Sequence, residues 1–281
     1  MKTPSLTAAT RRGFLRAATA LGGAALAAPA RPADAAPASS NPGPAPTFAD
    51  FRHGDETILI VLYPGFTALD AMGPEYMFSG MMGSTVRFIA RTLDPVKTES
   101  GFLVTPHLTF EQCPAKPTVV LVPGGASGTL AALGDAGLLS FLRDVAPRAT
   151  FMASVCTGSL LLGAAGLLKD YQATSHWQTL ELLPLFGAKP SPDRVVIDRN
   201  RVTGAGVTAG LDLGLTLVRH FRGDLYAKGT QLLAQYDPQP PFAAEGNPRT
   251  ADPGLVKLLN EMHKPFIDRM GEAIQAARKT P

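Results

Sequence analysis

Hydrophobic and polar positions along the chain change period in blocks. Short β-branched apolar runs at 58–63, 86–92, 119–122 and 151–155 alternate with longer stretches that are amphipathic or rich in Ala, Leu and Gly. This is the pattern of βαβ units around a parallel sheet. It predicts strands at those four runs and helices over 68–82, 158–168, 178–185, 208–222, 225–235 and 255–277. Short extended pieces are predicted near 97–100, 103–105 and 172–174, with a hairpin through 195–198 and 201–203. The longest apolar strands all lie within 57–203 with helices between them, so the expected fold is α/β: one three-layer helix–sheet–helix domain with a mostly parallel sheet. Its expected extent is 57–245, followed by a helical extension over 246–281. Ligands of such sheets bind at the carboxyl ends of the strands. The residues to inspect therefore follow Tyr63, Val122, Val155 and Thr203.

Residues 1–36 break this pattern. Arg11-Arg12-Gly13-Phe14-Leu15-Arg16 precedes a small apolar run from Ala17 to Ala30, then Ala28-Pro29-Ala30 and Ala36-Pro37-Ala38 as small-x-small sites. The order is that of a twin-arginine export signal, and the apolar run is too short for the ~20 residues of a bilayer span. A Pro/Ala-rich linker is expected over 37–56. Removing residues 1–36 takes Lys2, Arg11, Arg12, Arg16 and Arg31 with Asp34, and turns the net charge of +3 into −1. The body then has no basic field with which to hold nucleic acid. The expectation is a periplasmic protein, soluble and without stable membrane association after export. With 45% hydrophobic residues and two cysteines, disorder and a disulfide scaffold are both excluded.

Candidate chemistry begins at Cys156. It stands between the strand 151–155 and a helix whose first residues, Thr157, Gly158 and Ser159, are small. A sharp strand-to-helix turn presents the side chain, and the N–H groups of a helix start lower a thiol pKa from about 8.5. The reading is an ionised cysteine nucleophile, against the alternative of a structural buried cysteine. The Thr157 amide is expected to remain free for a developing negative charge. Cys113, in the loop Gln112-Cys113-Pro114, has no helix start behind it and is expected to be inert.

Asp70 interrupts an apolar helix start, between Leu69 and Ala71-Met72. It is either a helix-capping acid or a buried carboxyl with a raised pKa that holds a proton for sulfur and substrate. Pro123-Gly124-Gly125 follows the central strand and is expected to bring bare amides of Gly124 and Gly125 beside Cys156, completing an oxyanion pocket. Of five histidines, His176 alone follows a strand close to the cysteine's helix; a base and a packed imidazole are equally open readings. No His/Cys/Asp/Glu cluster has metal spacing, and no cofactor motif is found.

Taken together, Val122-Pro123-Gly124-Gly125, Ser154-Val155-Cys156-Thr157-Gly158-Ser159, Ala173-Thr174-Ser175-His176-Trp177 and Thr203-Gly204-Ala205-Gly206-Val207-Thr208-Ala209-Gly210 resemble the ThiJ/PfpI superfamily. Tyr236-Asp237-Pro238-Gln239-Pro240-Pro241-Phe242 and the segment 65–74 are similar to its isonitrile hydratase branch. The resemblance implies a flavodoxin-like, class I glutamine amidotransferase-like fold and cofactor-free hydration of an isonitrile to an N-substituted formamide. Cys156 would attack the terminal carbon, Asp70 would supply a proton and Thr157 would assist. Gly65, Gly124, Gly125 and His176 would serve the oxyanion and substrate. A small-molecule substrate and a homodimer are also implied. Thr157 replaces the histidine of the peptidase-like members, there is no late His-x-Glu pair of an amidotransferase, and the chain after Gln239 is too short and neutral for a helix-turn-helix module. Two other functions remain open: a non-catalytic periplasmic thiol sensor or ligand-binding protein, and a small-amide hydrolase.

Overall fold

The computed structural model describes residues 45–279, so the expected leader lies outside the described residues. Four apolar runs become the centre of a seven-stranded sheet because both of their faces are covered by helices. These are β1 (Thr57–Val61), β2 (Thr85–Ala90), β6 (Val119–Val122) and β7 (Phe151–Val155). The sheet order is β10-β11-β7-β6-β1-β2-β5, with β5 at Leu108–Thr109, β10 at Val195–Asp198 and β11 at Arg201–Gly204. Every pairing is parallel except the β10–β11 hairpin. Two small pairs stand outside it: antiparallel β3 (Val96–Lys97) with β4 (Leu103–Val104), and parallel β8 (Gln172–Ala173) with β9 (Lys189–Pro190).

The helices fall into two groups. One comprises α1 (Ala68–Ser79), α5 (Ala209–Arg222) and α6 (Asp224–Leu233). The other gathers α2 (Ala126–Ala132), α3 (Ala136–Val145) and α7 (Pro253–Lys279) around α4 (Gly158–Ala164). The sheet lies between them, giving the expected mostly parallel three-layer α/β fold. Met270 and Ile274 of α7 are fully buried in the same core as the strands. Among the described residues no helix is long and apolar enough to cross a membrane.

Several local expectations are corrected. The helix expected over 158–168 stops at Ala164, after which Gly166 adopts φ +77. The helix expected over 178–185 is a 3-10 turn, Leu180–Phe186, because Pro184 removes a donor inside it. The segment before β1 is docked on the body: Gly54 N–H bonds Met82 O at 3.1 Å, and the buried Glu56 carboxylate pairs with both terminal nitrogens of Arg222 on α5.

Candidate active site

The chain turns from β7 into α4 through Cys156, whose φ of +57 lies in the left-handed region. An L-residue with a side chain pays for that conformation, and a sharp elbow is where such a cost is found. The turn is tight because Gly158 has no side chain: a Cβ there would stand 2.2 Å from Val122 O. The Cys156 N–H bonds Gly204 O at 3.0 Å, and the Ser175 hydroxyl donates to Cys156 O at 3.2 Å. Strands β6 and β11 and the segment after β8 thus fix the elbow from three sides.

Asp70, in the first turn of α1, is completely buried. Its Oδ2 accepts the Gly124 N–H at 2.9 Å. Oδ1 is buried without a hydrogen-bond partner, and the Cys156 thiol is near enough to favour the ionised carboxyl. Burial pushes the Asp70 pKa up to about 7, and the charge of Glu99 adds to the rise, while Gly124 N–H and the thiol hold it down. The apolar neighbours Leu69, Ala71 and Met72 made this burial legible, and a capping role does not fit a side chain whose amide donor is Gly124.

The sulfur itself corrects the sequence reading. Cys156 is 6% exposed, and burial pushes its thiol pKa well above the ordinary range, with the Asp70 charge next. The neighbouring Thr157 N–H and hydroxyl dipoles act in the opposite direction. A seven-residue helix offers too little dipole to outweigh the burial. Burial thus works against the thiolate that the helix start was expected to favour, and in favour of the protonated Asp70.

Thr157 is held in a chain of buried hydroxyls. Its Oγ1 accepts the Gly125 N–H at 3.1 Å and lies 2.8 Å from Thr129 Oγ1, which in turn lies 3.0 Å from the Tyr63 hydroxyl. Tyr63 donates to Pro123 O at 2.8 Å. With the Tyr63 proton on Pro123 O, Thr129 donates to Tyr63 and Thr157 donates to Thr129.

The glycines are brought to the site, but not as bare amides. Gly124 N–H is taken by Asp70, Gly125 N–H by Thr157, and Gly65 N–H by Lys97 O at 2.8 Å. Their role is closeness: a Cβ on Gly124 would lie 2.7 Å from Thr157 N and 2.9 Å from Asp70 Oδ2. Gly65, at φ +80, packs its backbone on Gly128 and Gly125. The Thr157 N–H lies beside the sulfur, where it opposes the rise in the thiol pKa.

His176 stands apart from this cluster. It lines a cavity of about 490 Å³ with Ser175, Trp177, Val207 and Arg249. Burial and nearby His263 hold its pKa below the ordinary value, so the ring is a neutral imidazole. Among the described residues no hydrogen bond joins it to Cys156 or Asp70; its neighbour Ser175 makes that link through the Cys156 carbonyl. Cys113 and Cys156 are both free thiols, and among the described residues no group of three metal-binding side chains occurs.

One residue escaped the sequence reading. Glu99, exposed on the connection between β3 and β4, accepts the Thr67 hydroxyl at 2.8 Å and bears electrostatically on Asp70, Cys156 and Tyr63. No pattern in sequence marks it, because Glu99 and Asp70 meet only through backbone pairing of the loop 65–67 with the segment 97–99.

A mostly parallel sheet with a strained cysteine at the strand–helix elbow and a buried acid beside its sulfur defines a class of flavodoxin-like α/β proteins. This chain belongs to the DJ-1/PfpI family, whose sequence profile matches residues 56–220. Isonitrile hydratase of Pseudomonas putida is 40% identical over 217 residues, which span 77% of this chain and 94% of that protein. A solved THiJ/PfpI family protein from Pseudomonas syringae superposes with a TM-score of 0.77 at 47% identity, covering 79% of this chain and 91% of that one. The HTH-type transcriptional regulator GbdR of Pseudomonas aeruginosa is 29% identical over 187 residues, 64% of this chain and half of that protein.

Proposed function

We propose that this protein hydrates isonitriles to N-substituted formamides without a cofactor, using Cys156 as nucleophile and Asp70 as its proton partner. The observation that carries the reading is that one Gly124–Gly125 turn joins a fully buried Asp70 carboxyl, through the Gly124 N–H at 2.9 Å, to the Cys156–Thr157 elbow, through the Gly125 N–H at 3.1 Å, with the Asp70 pKa pushed up to about 7. A carboxyl poised there takes and returns a proton at neutral pH with little cost in either direction. The similarity to isonitrile hydratase across most of both chains supports the substrate class.

In the first half of the reaction the sulfur bonds to the terminal carbon of R–N≡C. The thiol proton passes to the Asp70 carboxylate and from there to the same carbon, leaving a thioimidate, R–N=CH–S–Cys156. The Thr157 N–H stands beside the sulfur and stabilises the charge that develops there. In the second half water adds to the carbon, the C–S bond breaks with its electron pair going to sulfur, and the formamide leaves as the thiol is restored.

A thiol sensor fits less well. Oxidation by peroxide follows thiolate character and exposure, and Cys156 has little of either. The test is an assay with cyclohexyl isocyanide. Wild-type protein should yield the formamide, Cys156→Ala should not, and turnover surviving that change would sink the nucleophile role. The leader stands as a companion proposal: a reporter fused behind residues 1–36 should reach the periplasm, and changing Arg11 and Arg12 to Lys should strand it inside.

A further inference from the structure

We propose that Glu99 is the general base that activates the attacking water in the second half of the reaction. This rests on the hydratase reading above. Asp70 has no exposed surface, and its Oδ2 is taken by the Gly124 N–H. The water that hydrolyses the thioimidate comes from solvent, so the group that deprotonates it has to stand between solvent and sulfur. Glu99 is exposed, and its carboxylate is still held in place by the buried Thr67, which donates its hydroxyl to Oε2 at 2.8 Å.

The frame around it is closed by backbone bonds. Glu99 N–H donates to Phe66 O at 3.0 Å, and Gly65 N–H donates to Lys97 O at 2.8 Å, so the hairpin is locked onto the loop that leads into α1. The next residue of that loop, Thr67, donates its N–H to Gly124 O at 2.8 Å, and Gly124 returns its own N–H to Asp70. The two carboxylates are therefore fixed to one scaffold, three residues of chain apart through Thr67. Thr67 is bonded to both acidic residues: its hydroxyl donates to Glu99 Oε2 at 2.8 Å, its carbonyl accepts the Asp70 N–H at 3.2 Å, and the Glu99 charge acts on Asp70 and Cys156.

The steps balance as follows. Water oxygen bonds to the thioimidate carbon while Glu99 takes one water proton, and the C=N π pair moves to nitrogen. Nitrogen takes the proton from Glu99, giving R–NH–CH(OH)–S–Cys156 and an ionised Glu99. The hydroxyl oxygen then forms C=O as the C–S pair returns to sulfur, and the hydroxyl proton passes by way of Asp70 to restore the thiol. The sum is R–NC + H₂O → R–NH–CHO, with both acids returned to their starting states.

Glu99→Gln should leave the first half intact and slow the second on the order of 10²-fold, the usual scale for loss of a general base. Intact-protein mass spectrometry during reaction with cyclohexyl isocyanide should then show Cys156 carrying the mass of one isocyanide, an adduct too short-lived to see in wild type. Glu99→Asp should restore much of the turnover. Thr67→Val, which frees the carboxylate without removing it, should accumulate the same adduct to a smaller extent. Formamide release from Glu99→Gln at the wild-type rate without adduct would overturn the proposal, as would loss of the adduct-forming step itself. If wild type yields neither adduct nor formamide, it is the hydratase reading that fails, and this proposal with it.

Discussion

Thr129 Oγ1 lies 2.8 Å from Thr157 Oγ1, with both side chains buried beneath the Gly124–Gly125 turn. Thr157 Oγ1 accepts the Gly125 N–H and donates to Thr129, whose own proton goes to Tyr63, so the hydroxyl chain holds the Thr157 proton away from the sulfur. Thr129→Val removes that constraint. The freed Thr157 hydroxyl then donates to the sulfur, so the thiol pKa should fall and alkylation by iodoacetamide at fixed pH should quicken several-fold, with a stability loss of about 1–2 kcal/mol for the broken bond. Thr129→Ser should restore both. An unchanged alkylation rate in the valine variant would show that the hydroxyl chain does not orient Thr157.

Asp70 ties activity and stability to the same titration. Its pKa rises from 3.8 in the unfolded chain to about 7 in the native one, so the native state holds the proton longer. Burial of Asp70 therefore costs nothing below pH 3.8, a penalty builds between 3.8 and about 7, and above that it is full, about 4 kcal/mol. Asp70→Asn should raise the melting temperature at pH 8 far more than at pH 4, and turnover should be lost at both. In wild type, turnover should rise with pH through about 7, as the carboxylate that accepts the thiol proton forms. A flat profile across that range would contradict the role given to Asp70.

Gly124 has no room for a methyl group. Gly124→Ala sets a Cβ 2.7 Å from both Thr157 N and Thr157 Oγ1 and 2.9 Å from Asp70 Oδ2. The turn has to move, and both the acid and the threonine move with it. Activity on isocyanide should fall by at least about tenfold, since misplacement of this order is costly to a positioned site. Circular dichroism should report an unchanged fold.

Glu56 and Arg222 form a buried pair that joins the segment before β1 to the end of α5. Glu56→Ala would leave the guanidinium buried and uncompensated, at a cost of about 3–5 kcal/mol in urea unfolding. The double change Glu56→Leu with Arg222→Met should recover most of that loss. If it is as unstable as the single variant, the pair does more than satisfy its own charges.

Much of the frame is written in single residues. β1, β6, β7 and the β10–β11 hairpin follow from β-branched runs, because strands covered on both faces carry little else. α2 and α3 were missed: Gly125, Gly128, Gly134 and Gly137 interrupt the apolar period there, and it is packing against α4 that completes those helices. Asp70 and Cys156 were legible because a lone acid and a lone thiol interrupt apolar or small neighbours. The ionisation of the sulfur was not, since it depends on how deeply the elbow sinks and on how short α4 is. Nor was the state of the glycine amides, which is decided by distant partners: Asp70 for Gly124, Thr157 for Gly125.

The β3–β4 hairpin takes no part in the main sheet and meets the catalytic loop by a few backbone bonds. That makes it an interchangeable module. On the roles proposed for Cys156 and Glu99, a relative that retained the elbow and Asp70 but rewrote residues 96–104 would keep its nucleophile while changing the group that meets the incoming water.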